Sequence, residues 1–208
     1  MSGTSLDGLD FCFVSFNSKN ISNFKIRKTH TYKYDETWKN YLRDATKLNN
    51  EKIKKLDIKF GLLISKYINQ FIIDFSVPRI DLISSHGHTV FHEPEKGLTL
   101  QIGDGKVISQ KTRTKVVCNF RAQDVNLGGQ GAPLVPIGDL NLFMDYKFCL
   151  NLGGFANLSI KTNEEIQAFD ICPVNTVLNY YSKKMGHEYD RNGFLSKSGQ
   201  TDKILLSE

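Results

Sequence analysis

The chain has 208 residues, 40% hydrophobic and 24% charged, with 27 basic side chains against 22 acidic. Such a composition excludes a disordered or collagen-like chain and supplies a sizeable core without disulfides or a structural metal. The surplus of five positive charges is spread over isolated pairs such as Lys54-Lys55 and Lys183-Lys184, a solvated surface rather than a basic face, so no nucleic-acid partner is expected.

Cys12, Cys118, Cys149 and Cys172 are widely separated, lie in or beside apolar segments and form no CxxC pair. They are expected to be reduced core thiols. No apolar h-region follows a basic start, and no apolar stretch approaches the roughly twenty residues that cross a bilayer. A cytoplasmic protein with no membrane partner is the expectation.

In chain order, the polar opening MSGTSLDGLD leads into a strand from about Leu9 to Phe16, and the turn Asn17–Asn20 returns it as a second strand near Asn23 to Tyr32. The period then changes. One helix is predicted from Asp35 to about Leu48, and a longer one from Asn50 to about Phe75. The longer helix repeats Ile53, Leu56, Phe60, Leu63, Ile64, Tyr67, Ile68, Phe71 and Ile72 at three- and four-residue spacing, a core-facing stripe. A short strand at Ile80 to Ser84, a loop SSHGHTVFHEP, a strand at Leu98 to Ile102, a helix opened by Asp104 and a strand TKVVCNF follow.

From Asn119 to Gly138 the chain is too rich in Gly and Pro for a regular element, and a loop of that length is expected to be functional. Strands then restart at Phe148–Leu152, Asn157–Lys161 and Ile166–Phe169, before a helix begun by Pro173 and stopped near Gly186. The restart suggests two domains, 1–145 and 146–208.

Three segments combine small and polar residues in a way that packing does not require. Ser2 to Asp10 offers glycines, hydroxyls and carboxylates suited to phosphate oxygens or a hydrated cation, or else is a flexible turn. Asn151 to Asn157 carries Gly153-Gly154 between two strands, either a plain hairpin connection or half of a nucleotide clamp. Arg121 to Asp124, followed by the glycines of GGQGAP, offers a general base with a neighbouring guanidinium, although Asp124 could simply cap a turn. His86, His88 and His92 lack the Cys and acidic companions of a zinc site, and hydrogen-bonded loop histidines or sugar contacts fit them better. Neither a GxxxxGK[ST] loop nor a strand-bound GxGxxG is present.

Taken in order, MSGTSLDGLD, SHGHTVFHEP, LTLQIGDG, FRAQDVNLGGQGAPLVP, NLGGFANLS and FDICPVN resemble the anhydro-N-acetylmuramic acid kinases over nearly the whole chain. The opening decapeptide and GGQGAPLVP are the most specific pieces. The resemblance implies an α/β, two-lobed actin-like ATPase (ribonuclease H-like) architecture, and ATP with Mg²⁺ as cofactors. Gly3, Thr4, Ser5, Leu6, Asp7, Gly8, Leu9 and Asp10 become the first phosphate loop, and Asn151, Gly153 and Gly154 the second. Asp124 becomes the base that activates water for attack on the anomeric carbon. His86, Arg121, Asn157 and Asp170 become contacts to the amino-sugar substrate, and no metal-ligating residue is assigned. A homodimer is implied in the same way.

The family commonly has Asp where this chain has Asn119 and Gln where it has His88, and a more glycine-rich form of the segment holding Cys172 and Val174. Its members usually begin with an apolar strand ahead of MSGTS and continue well beyond the position of Glu208. The expectation is therefore a chain cut at both ends with an incomplete second lobe, weak in ATP affinity and in kinase activity by itself. A sugar- or partner-binding module without catalysis, and a kinase of another amino sugar, are the alternatives.

Overall fold

The computed structural model describes residues 1–3, 6–132, 134–162 and 165–207, leaving aside the side chain of Leu205. Two compact units emerge, 1–134 and 135–208. The division expected after residue 145 falls inside the second of them.

In the first unit, β1 (Gly8–Asn17) and β2 (Asn20–Lys33) form an antiparallel hairpin pairing Gly8 with Lys33 at its open end. Asp35 caps α1 (Glu36–Arg43) by accepting the Trp38 N–H at 2.8 Å. The single helix expected to Leu48 stops at Arg43, and a 3₁₀ turn at Ala45–Lys47 takes over. Asn49 then caps α2 (Asn50–Asp74). Ile53, Leu56, Phe60, Ile64, Ile68 and Phe71 of its apolar stripe are buried. Phe60 is wholly buried and meets the rings of Trp38, Tyr34 and His88 at 5.6, 6.3 and 6.3 Å.

Beyond α2, β3 (Ile83–Ser84) pairs in parallel with β6 (Val116–Val117), and β4 (His88–Glu93) pairs antiparallel with β5 (Leu98–Ile102). Three expectations are corrected here. SSHGHTVFHEP is half strand, because His88 and Val90 alternate into the core. The strands expected at Ile80–Ser84 and Thr114–Phe120 shrink to two residues each. Asp104 does open a helix, α3 (Gly105–Thr112), by accepting the N–H groups of Lys106 and Val107. A cleft of about 570 Å³ lies between β1 and β3, floored by Ile64, Ile68 and Phe71.

The glycine-rich stretch also differs from expectation, since it begins as α4 (Phe120–Asn126) and ends in α5 (Val135–Leu142). The second unit continues as an antiparallel sheet of β7 (Phe148–Leu152), β8 (Phe155–Lys161) and β9 (Ile166–Pro173) in that order. Pro173 closes β9, and α6 (Asn175–Lys184) starts two residues later than expected. Short helices α7 (Phe194–Ser198) and α8 (Lys203–Ser207) follow. Buried Lys161 donates to the carbonyls of Asp139 and Phe143, meeting the negative end of α5.

All four cysteines are free, but Cys12 and Cys172 are exposed and Cys118 and Cys149 half-buried, so they are not core thiols. No described helix is long and apolar enough to cross a membrane.

Candidate active site

Asn119 adopts a left-handed φ of 61° and turns the chain from β6 into α4. Arg121 and Asp124, three positions apart, therefore emerge on one face of the helix. The Arg121 Nε–H donates to His86 Nε2 at 2.9 Å, and Nη1 donates to the Gly131 carbonyl at 2.7 Å. His86 Nδ1 in turn donates to the Gly87 carbonyl at 3.1 Å. A ring that accepts at Nε2 and donates at Nδ1 is neutral imidazole. Burial is the main cause holding its pKa below the ordinary value, and the Arg121 charge acts the same way against the Gly87 bond. Burial lowers the Arg121 value as well, yet a guanidinium stays charged.

The glycine loop folds back onto the helix that launches it. Gly129 N–H donates to the Asp124 carbonyl at 2.9 Å, and Gly131 N–H donates to Asp124 Oδ2 at 2.7 Å. Gly131 thus accepts from Arg121 and donates to Asp124, fixing the distance between a cation and a carboxylate. No donor among the described residues reaches Oδ1, and the side chain is exposed. A side chain at either position would displace a neighbour. A Cβ at Gly129 would stand 2.3 Å from Asp124 Oδ2. At Gly131, where φ is +68°, one would stand 2.9 Å from Val125 Cγ2. Gly131→Ala is expected to cost about 1–2 kcal/mol from the left-handed backbone alone and to release Asp124. Urea titration checks the first effect; wild-type stability would count against this geometry.

At the opening segment, the Leu6 N–H donates to the Gly3 carbonyl at 3.4 Å, and Leu6 has a positive φ of 55°. The Asp7 carbonyl accepts the Tyr34 N–H at 3.2 Å. Gly8, Leu9 and Asp10 already belong to β1. Leu9 is 2% exposed and serves the core, whereas exposed Asp10 accepts from Thr31 Oγ1 at 2.6 Å. Thr4 and Ser5, also expected in this loop, lie outside the described residues. His88 is bonded through Nδ1 to Ser2 Oγ, and His92 Nδ1 to Thr99 Oγ1. All three histidines of the segment are thus hydrogen-bonded within the protein. The sequence singles out the segments that hold Ser2 and Gly131 but gives neither residue a contact of its own, because both bonds are made to residues distant in the chain.

Desolvation also lowers the His88 pKa, with the neighbouring His86 adding to it. Folding thus weakens proton binding at two imidazoles. Their stabilising contribution is complete above the ordinary pKa of 6.5 and is lost as pH falls from there toward the folded values. Thermal midpoints measured downward from about pH 7.5 to about pH 5.5 should therefore decline, less steeply in His86→Gln.

In the second unit, Asn151 lies directly opposite Asn157, and Asn157 opposite Asp170. Three predicted site residues thus form one row across the sheet, on one face. The Gly153-Gly154 turn presents its carbonyls to the start of α6. Gly153 O accepts from Asn175 N–H at 3.2 Å, and Gly154 O from Val174 and Thr176 N–H at 2.8 and 3.2 Å. The turn therefore caps the helix.

Among the described residues no group of three or more His, Cys, Asp or Glu could hold a metal ion. The carboxylates of the opening segment, Asp7 and Asp10, stand without such a group.

A glycine loop thus holds a carboxylate beside a guanidinium in a mixed α/β chain. The family model described as "AnmK: Anhydro-N-acetylmuramic acid kinase" matches residues 1–208, and the chain belongs to that family. An anhydro-N-acetylmuramic acid kinase of Bacillus cereus (strain ATCC 14579) is 34% identical over 226 residues, covering 99% of this chain and 58% of the relative. One from Bacillus anthracis is 33% identical, with 99% and 59% covered. The chain thus spans under two thirds of the length of these curated relatives.

Proposed function

We propose that the protein acts in ATP-dependent opening of 1,6-anhydro-N-acetylmuramic acid, giving N-acetylmuramic acid 6-phosphate in cytoplasmic peptidoglycan recycling. The observation that carries this reading is the Arg121–Gly131–Asp124 cluster, in a chain of this family. Asp124 Oδ1 takes a proton from water as the water oxygen bonds to the anomeric carbon. The bond from that carbon to O6 breaks, and O6 keeps the electron pair. O6 then takes the γ-phosphoryl group as its bond to ADP breaks, and one proton passes to solvent overall. In-line transfer of this kind needs positioning and charge neutralisation more than covalent help from the protein.

In this reading His86, Arg121, Asn157 and Asp170 hold the sugar, with neutral His86 offering no second charge beside the guanidinium. Gly3, Leu6, Asp7, Gly8, Asp10, Asn151, Gly153 and Gly154 serve the nucleotide, joined by Thr4 and Ser5, while buried Leu9 serves the core. Asp7 would take Mg²⁺ through one carboxylate oxygen, and the ion when bound would neutralise phosphate charge. A two-lobed actin-like architecture and a homodimer complete the proposal.

Incubation with the anhydro sugar and MgATP in ¹⁸O-labelled water tests it. The expected product is a muramic acid phosphate carrying ¹⁸O at the anomeric carbon, and a reaction without label there would overturn the hydrolytic step. One observation favours a second reading. His86, Arg121 and Asp124 are held together entirely within residues 1–134, as in a sugar-binding module that transfers no phosphoryl group. Thermal stabilisation by the sugar but not by MgATP would favour that module. Stabilisation only by a different amino sugar would move the substrate assignment.

A further inference from the structure

Away from Asp124, three buried polar side chains meet in the first unit. Ser2 is 3% exposed, Tyr34 4% and His88 5%. Tyr34 OH donates to Ser2 Oγ at 2.8 Å, and Ser2 Oγ is bonded to His88 Nδ1 at 2.9 Å. Buried hydroxyls without partners are costly, so this set is stable only when complete. It joins three distant parts of the chain, since Ser2 is 32 positions from Tyr34 and 86 from His88.

The backbone converges on the same point. Ser2 bridges Leu9 in antiparallel and His88 in parallel fashion, and the Met1 carbonyl accepts the Asp10 N–H at 2.9 Å. Phe60 stands edge-on to the His88 ring and holds its plane. Gly87, with φ +71°, passes so close to the Ile102 carbonyl that a Cβ would lie 2.2 Å from it. The tripeptide His86-Gly87-His88 is therefore pinned in the middle. One of its imidazoles reaches Arg121 and the other reaches Ser2.

We propose that His88 is a positioning residue which, acting through Ser2, fixes Gly3 and residues 6–10 on the same backbone strut that carries His86 to Arg121. The site of carboxylate chemistry and the opening segment are thereby held to one frame by three consecutive residues. That the opening segment serves a nucleotide rests on the function proposed above; that His88 orders it does not.

Hydrogen exchange separates the two. The amides of Leu6, Asp10 and Tyr34, bonded to the carbonyls of Gly3, Met1 and Asp7, report on the segment. Those of Phe60 to Phe71 report on α2. In Ser2→Ala and in His88→Leu, exchange at the first three is expected to accelerate about tenfold with α2 unchanged. His88→Gln, which presents both a donor and an acceptor, is expected to restore wild-type rates. Unchanged exchange at the three amides in Ser2→Ala, an acceleration shared equally by α2, or failure of Gln to rescue would overturn the inference. MgATP titration of the same proteins completes the test. Loosened amides with MgATP affinity unchanged would leave His88 in its positioning role and remove the nucleotide from the segment.

Discussion

Asp124→Asn is expected to lower turnover of the anhydro sugar by about 10²- to 10⁴-fold, the range spanned by a positioned general base. The substitution keeps the shape of the side chain and an oxygen that can still accept the Gly131 N–H. The loop should therefore stay folded on α4, and Arg121 should keep its bond to the Gly131 carbonyl. What disappears is the capacity to take a proton from water. Rates of labelled product formation, with sugar and MgATP affinities measured in parallel, check the outcome. Unchanged turnover would remove Asp124 from the chemistry, and a collapse of sugar affinity instead of rate would make it a binding group.

Phe60→Ala should produce the largest loss of stability, about 3–5 kcal/mol for a buried Phe cut to Ala. The ring is wholly buried among Tyr34, Trp38 and His88. Its removal opens a cavity where α1, α2 and β4 meet beside Tyr34, and the rigid aromatic neighbours can collapse only partly into it. Urea denaturation followed by tryptophan fluorescence reads this directly, because Trp38 is the chain's single tryptophan and lies against the ring. A loss below about 1 kcal/mol would mean that the surroundings repack freely. Phe60→Leu, which leaves a smaller void, should cost less and keep the protein folded enough for comparison.

Local signals carried much of this architecture. The spacing from Ile53 to Ile72 marks α2 almost to its ends, and the Asp104 cap marks the start of α3. The hairpin at Asn17–Asn20 and the three strands of the second unit follow from turn residues and alternation. What failed were elements whose composition argued against them. The glycines and prolines of residues 119–138 concealed the helix Phe120–Asn126, which is short and has no side-chain cap. The histidines of HTVFHE made a strand read as a loop, although His88 and Val90 alternate inward as a strand requires.

The candidate site was legible as residue types and not as contacts. Arg121 and Asp124 could be singled out by their chemistry, but the role of Gly131 between them depends on a loop returning across ten positions. The bond between His86 and Arg121 spans 35 positions, a distance that no spacing argument covers. In the second unit, the row of Asn151, Asn157 and Asp170 follows from strand register, which includes a bulge beside Ala156. One residue of slip would place the members on opposite faces.

The contact between Ser2 and His88 also bears on the order of folding. The β1–β2 hairpin closes over neighbouring residues and α2 forms from local bonds, so both can appear early. Joining Ser2 to His88 closes a loop of 86 positions, whose entropy must be met before any contact rewards it. It also requires β4 to be in place. The opening segment is thus expected to be among the last parts of the first unit to order during refolding, so that its amides acquire protection later than those of α2.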